Sequence, residues 1–147
     1  MAHWPDDRIQ MLFNIKHPKI QAPMAGSSTT EMAIAVADAG GIGSIPAAQL
    51  TPGQLTEALI RFRTATSAPV NVKFFCHTPA ENDPLLDRQW RKRLEAYYIE
   101  FGIDLEVQVA SANRAPFNDA YCSVVEALRP EVVSFHFGLP AICCSIG

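Results

Sequence analysis

Short apolar runs alternate with capped helical segments along this chain, and that alternation admits few folds. The order reads strand, helix, strand, helix, strand, helix, helix, strand. Every crossover is long enough to bring the next strand back parallel to the last. Lys19 to Ala25 is the first candidate strand, with Pro23 tolerable only near its end because it lacks an N–H. Ser28-Thr29-Thr30-Glu31 has the form of a capping box, followed by Met32, Ala35, Val36 and Ala39 on one helical face and a Gly40-Gly41 stop. Ile42-Gly43-Ser44-Ile45 is a very short second strand whose glycines leave room for something to approach the backbone. Thr51-Pro52-Gly53-Gln54 opens the next helix, with Leu55, Ala58, Leu59 and Phe62 as its buried stripe.

Val70 to Phe75 is the third strand, with Asn71, Lys73 and Phe75 on one face and Val70, Val72 and Phe74 on the other. Asp83-Pro84 starts a helix whose Leu86, Trp90, Leu94, Tyr97, Tyr98 and Phe101 repeat at helical spacing, a stripe expected to pack. Tyr121, Val124, Val125 and Leu128 mark a further helix, stopped by Pro130. The fourth strand, 132–137, places Val132, Ser134 and His136 on one face and ends at Gly138 and Pro140. Parallel strands with polar groups at their C-terminal ends are the pattern of an α/β enzyme, since ligands bind at those ends.

Two polar residues stand out on these strands. His136 sits where a strand delivers an imidazole to a Gly-Pro turn, a position that suits either a satisfied core histidine or a proton-handling one. Lys73 lies near the C-terminal end of its strand, a position that suits either a surface lysine on an edge strand or one facing an anionic or polar ligand that offsets the cost of burying an ammonium.

With 147 residues, 48% hydrophobic and 18% charged, the chain suits one globular domain with a real core. A formal charge of −3 and the lack of a Lys/Arg cluster argue against a nucleic-acid partner. No apolar run is long enough to span a membrane. The first residues lack the basic start and apolar core of a signal peptide, so the cytoplasm is the expected compartment. Cys76, Cys122, Cys143 and Cys144 form no Cys-x-x-Cys pair and no zinc-ligand spacing, so no metal is expected.

Four stretches together resemble the nitronate monooxygenases, also called 2-nitropropane dioxygenases. They are Ile20-Gln21-Ala22-Pro23-Met24-Ala25-Gly26, Gly40-Gly41-Ile42-Gly43-Ser44, Asn71-Val72-Lys73-Phe74-Phe75-Cys76-His77 and Ser134-Phe135-His136-Phe137-Gly138. Their order, spacing and local structure match, over about residues 18–140. The resemblance implies an FMN-dependent (β/α)8 TIM-type barrel with an inserted substrate-covering region, oxidising alkyl nitronates with O2 to a carbonyl compound and nitrite. It implies that Ala22, Pro23 and Met24 lie against the flavin. It implies that a polar residue of the third strand, Asn71 or Lys73, also reaches the flavin. His136 corresponds to the family's catalytic residue, a base for neutral nitroalkanes.

A barrel of this type usually needs about 250 residues, so this chain is expected to supply only its N-terminal half, parallel strands with outer helices. Residues 1–140 would form that partial barrel. Residues 141–147 lack helical amphipathicity and read as a truncation or a change of frame. Half a barrel leaves open sheet edges, which favours self-association. Three other readings compete. A related FMN barrel such as an enoyl reductase fits the Ser134 to Gly138 stretch less well. A catalytically dead half-barrel would act only through self-association or a partner. A thiol hydrolase using Cys76 and His136 lacks an evident oxyanion loop and orienting carboxylate. A metal site from Cys76, His77 and His136 lacks familiar ligand spacing.

Overall fold

The computed structural model describes residues 4–79, 81, 83–107 and 114–140. Two units are distinguished, one of Met1–Thr78 with Asn113–Gly147 and one of Pro79–Ala112. Residues 141–147, expected as a tail outside the barrel, lie outside the described residues.

The first unit contains α1 (Arg8–Phe13), α2 (Thr30–Asp38), β1 (Gly43–Pro46), α3 (Pro52–Ala65), β2 (Val70–Phe75), α5 (Asp119–Leu128) and β3 (Val132–His136). The second unit contains α4 (Pro84–Glu100). The three strands form one parallel sheet in the order β1-β2-β3. Gly43 pairs with Val70 and Ser44 with Asn71, while Asn71 pairs with Val132 and Phe75 with His136. Sheet order follows chain order, as in a barrel wound one βα unit at a time.

The core lies between one face of the sheet and the helices. Ile45, Val70, Val72 and Phe74 meet Ala33 and Ala37 of α2, Leu55, Leu59 and Phe62 of α3, and Tyr121 and Val125 of α5. Each fully buried large apolar side chain contributes roughly 1.5–3 kcal/mol of transfer free energy. Phe74 is the centre, with the Phe117 ring edge-on at 4.8 Å and the Tyr121 ring at 5.5 Å. Tyr121 keeps its hydroxyl satisfied by donating to the Leu50 carbonyl at 2.7 Å. The expected stripe of α3 is therefore in place, and its capping box is formed: Thr51 Oγ1 accepts from Gln54 N–H, and Gln54 Oε1 accepts from Thr51 N–H.

The element that approaches the backbone at the second strand is helix α2. A Cβ on Gly43 would lie 2.1 Å from the Ala33 carbonyl oxygen, so only glycine lets α2 seat directly on β1.

Four sequence-based expectations need correction. The first strand does not form a ladder: it is reduced to a single parallel bridge between Ile20 and Ile42. Helix α2 is capped by Thr29, whose side chain accepts from Met32 N–H, because the Ser28 hydroxyl is engaged with Met24 N–H and the Ala22 carbonyl. The buried face of α2 is Ala33 and Ala37, and Met32 is exposed, because the close approach at Gly43 admits only small side chains. Finally, no residue of α4 is buried, and Trp90 is 59% exposed. Within its own unit α4 is held by local bonds. Asp83 caps it, and Arg91 pairs with Asp87 and donates to the Leu105 and Val107 carbonyls.

Candidate functional site on the polar face of the sheet

Alternation along the strands turns Asn71, Lys73 and Phe75 away from the helix-packed core, together with their register partners Ser44, Pro46, Ser134 and His136. This face is polar where the other is apolar. Its centre is Asn71, only 4% exposed. Ser134 Oγ donates to Asn71 Oδ1 at 2.8 Å, and Asn71 Nδ2 donates to Ser44 Oγ at 3.1 Å. The Ser44 N–H donates to Gln21 Oε1 at 3.1 Å. Hydrogen bonds thus connect all three strands with the segment that precedes Ala22. A buried amide without such partners would cost about 1–3 kcal/mol.

His136 is the last residue of β3 and is exposed. Its carbonyl accepts from the Cys76 N–H at 2.8 Å, which fixes the end of the strand against β2. The Phe75 ring lies nearly parallel to the imidazole, at 6.4 Å between centroids and 6° between planes. Phe137 comes next in the chain, with its ring at 5.9 Å and a φ of +66°. That left-handed conformation is costly for a bulky side chain, and such strain clusters at functional sites. It ends the strand immediately after His136, leaving the imidazole at the sheet's C-terminal edge.

Lys73 is half-buried, with its ammonium 5.7 Å from the centroid of the Phe75 ring. Among the described residues no carboxylate lies within ion-pair distance of it. Asn71 and Lys73, offered as alternatives by the sequence, therefore differ: the amide is built into the sheet by hydrogen bonds, and the ammonium lies near the Phe75 ring.

Ala22, Pro23 and Met24 belong to the opposite edge of the sheet, beside β1. Ala22 and Met24 are exposed, and Ser28 closes the turn by donating to the Ala22 carbonyl at 3.2 Å and accepting from the Met24 N–H at 3.0 Å. A cavity of ≈ 410 Å³ adjoins this turn, lined by Gly26, Ser28, Pro46, Gln49 and Leu50 among others. The register thus brings Asn71, Lys73 and His136 onto one face. Ala22 to Met24 are tied to that face through the Gln21–Ser44 bond.

Burial pushes the Cys76 thiol up, which disfavours the thiolate that a nucleophile needs. No three His, Cys, Asp or Glu side chains converge as metal ligands among the described residues. Among those residues no helix is long and apolar enough to cross a membrane.

The sequence matches the profile of the nitronate monooxygenase family over residues 6–144. The chain belongs to that family. The nitronate monooxygenase of Pseudomonas aeruginosa is 40% identical over 136 residues, spanning 91% of this chain and 38% of the relative. That of Paraburkholderia phytofirmans is 35% identical, spanning 88% and 36%. This chain therefore spans little more than a third of the length of these relatives. Its structure is similar to the nitroalkane oxidase of Streptomyces ansochromogenes, with a TM-score of 0.71 at 30% identity, over 90% of this chain and 36% of that one. A FabK mutant of Thermotoga maritima shares the fold, with a TM-score of 0.59 at 23% identity. The fold of the first unit is that of the N-terminal half of a (β/α)8 barrel.

Sequence reasoning singled out His136 but not Gln21, Ser44 and Ser134, which the hydrogen bonds connect to the same face. One signal was present for Ser134, its sharing of a strand face with His136.

Proposed function

We propose that this chain carries the proton-handling and cofactor-facing part of a flavin-dependent nitronate monooxygenase, which oxidises alkyl nitronates with O2 to a carbonyl compound and nitrite. The observation that carries this reading is the placement of His136: exposed, at the C-terminal end of a barrel strand, on the same face as Asn71 and Lys73. His136 would take the carbon-bound proton of a neutral nitroalkane, and would be a polar partner for a nitronate that arrives already deprotonated.

The residues present suit FMN. Lys73 offers an ammonium with no carboxylate partner among the described residues, fit for an anionic or electron-rich edge. Asn71 keeps a second N–H and a second lone pair beyond its two bonds. Ala22, Pro23 and Met24 would give van der Waals contact along the ring system. When bound, the flavin supplies the electron transfer and the reaction with O2. The part of the relatives that this chain does not span would hold the phosphate, since barrels often bind phosphate after strands seven and eight. By this reading the 147-residue chain alone turns over nothing. A second reading, a half-barrel that acts by self-association, is supported by β3 lying at the sheet edge and by exposed Ile20, Phe137 and Leu139.

The test joins this chain to the remaining βα units of the Pseudomonas relative and compares His136→Asn with the parent. Turnover of a neutral nitroalkane should fall by roughly a hundred- to ten-thousand-fold, the usual worth of a general base. Turnover of the preformed nitronate should fall much less. Equal losses on both substrates would remove His136 from the role of base.

A further inference from the structure

Gln21 is bonded in two different ways to the segment formed by Ile42 and β1. Its main-chain N–H donates to the Ile42 carbonyl at 3.0 Å, as the next strand of a parallel sheet would. The following ladder donor on β1, the Ser44 N–H, goes instead to the Gln21 side chain, Oε1, at 3.1 Å. The side chain therefore fills the place that a main-chain carbonyl would fill if pairing continued. The other end of the same amide, Nε2, is buried without a hydrogen-bond partner among the described residues. A buried polar atom left unsatisfied calls for a reason, and here the reason is the work of Oε1 at the opposite end.

Beyond Gln21 the chain has left the sheet. The Ala22 carbonyl and the Met24 N–H both meet the Ser28 hydroxyl, not β1. Pro23 between them has no N–H to offer a ladder. The turn is thus held from two sides, by Gln21 at its base and by Ser28 across its mouth. Because Ser44 also accepts from Asn71 through its side chain, the base of the turn is tied to the polar face that carries His136.

We infer that Gln21 is a positioning residue: its side-chain carbonyl ends strand pairing at Ser44 and thereby sets the Ala22-Pro23-Met24 turn off the sheet. The functional consequence, a turn placed to receive the flavin ring, rests on the function proposed above. The inference itself concerns the chain without any ligand.

The experiment is residue-resolved hydrogen exchange on the 147-residue chain with two variants. Gln21→Met keeps the length and loses the acceptor. Gln21→Asn keeps the amide but shortens its reach by one methylene, and serves if the methionine variant fails to fold. Each should speed exchange at both the Ser44 and Met24 amides roughly tenfold, on the order of one net hydrogen bond. The Val72 amide, in the ladder beyond, should keep its protection. Unchanged exchange at Ser44 in a folded variant would overturn the inference, and so would a faster Ser44 with an unchanged Met24. FMN titration of the same variants joined to the remaining βα units of the Pseudomonas relative, followed by quenching of flavin fluorescence, should show weaker binding in both. A completed parent that binds no FMN would count against the proposed flavin site, while Gln21 would still be judged by the two amides.

Discussion

The two faces of the sheet are built from alternate residues of the same strands and do opposite things. On one face Val70, Val72 and Phe74 are buried to within 1% under three helices. On the other, Asn71, Lys73 and Phe75 carry an amide network, an ammonium with no ion-pair partner among the described residues and a ring beside an imidazole. A one-residue step along the strand thus separates the groups that fold the chain from those proposed to act. A substitution should reveal which face it strikes by what it damages. Damage on the helix side should appear as lost stability, and damage near the sheet's C-terminal edge as lost chemistry with little change in melting.

The largest stability effect should come from the centre of the apolar face. Phe74→Ala removes a ring that contacts Phe117, Tyr121 and Phe135. The expected cost is roughly 3–5 kcal/mol, a large share of the stability of any small domain. Urea unfolding followed by circular dichroism checks it. A cost below about 1 kcal/mol would mean that the helices do not pack on this strand as described. His136→Asn, on the other face, should leave the same unfolding curve nearly unmoved.

Asn71 tests where the comparison breaks. It lies on the polar face yet is as buried as the core. Asn71→Leu keeps the volume and leaves the Ser44 and Ser134 hydroxyls without their shared partner. The expected loss is about 1–3 kcal/mol, intermediate between the two faces. A neutral or stabilising result would show that water takes over the two hydroxyls, and that this face contributes nothing to folding.

These contrasts were only partly legible in the sequence. The strands 70–75 and 132–136 follow from their β-branched and aromatic residues, and the α3 cap follows from Thr51-Pro52-Gly53-Gln54, because both signals are local. The first strand misled because an apolar-polar alternation says nothing about whether a side chain will take the place of the ladder. The α2 cap was misplaced by one residue because Ser28 and Thr29 are both competent caps, and a bond to Met24 decides between them. The α4 stripe has correct periodicity, but periodicity cannot supply a surface to pack on. The amide network joins residues 27 and 63 positions apart, so it becomes visible only once the parallel register is known.

The smallest expected effect sharpens the comparison along the strands instead of across them. At the N-terminal ends, away from His136, Glu131 accepts from Arg63 at 2.8 and 2.9 Å and from the Val70 N–H at 3.0 Å. This ties α3, β2 and the entry to β3 together. Burial alone would raise the Glu131 carboxyl, but the hydrogen bonds from Arg63 and Val70 outweigh it and hold the group below its ordinary value. A carboxyl lowered on folding stabilises the folded state fully above its unfolded value, about 4.3, and loses that contribution as pH falls through the lower folded value. Both side chains of the pair are about a third or more exposed, at 31% and 42%, so solvent screening limits the effect to about 1 kcal/mol or less. Glu131→Gln should therefore lower stability slightly at pH 7 and flatten its fall between about pH 5 and pH 3. The check is urea unfolding of parent and variant across that range. Parallel curves would mean that the clamp adds nothing, and that the N-terminal end of the sheet is held by packing alone.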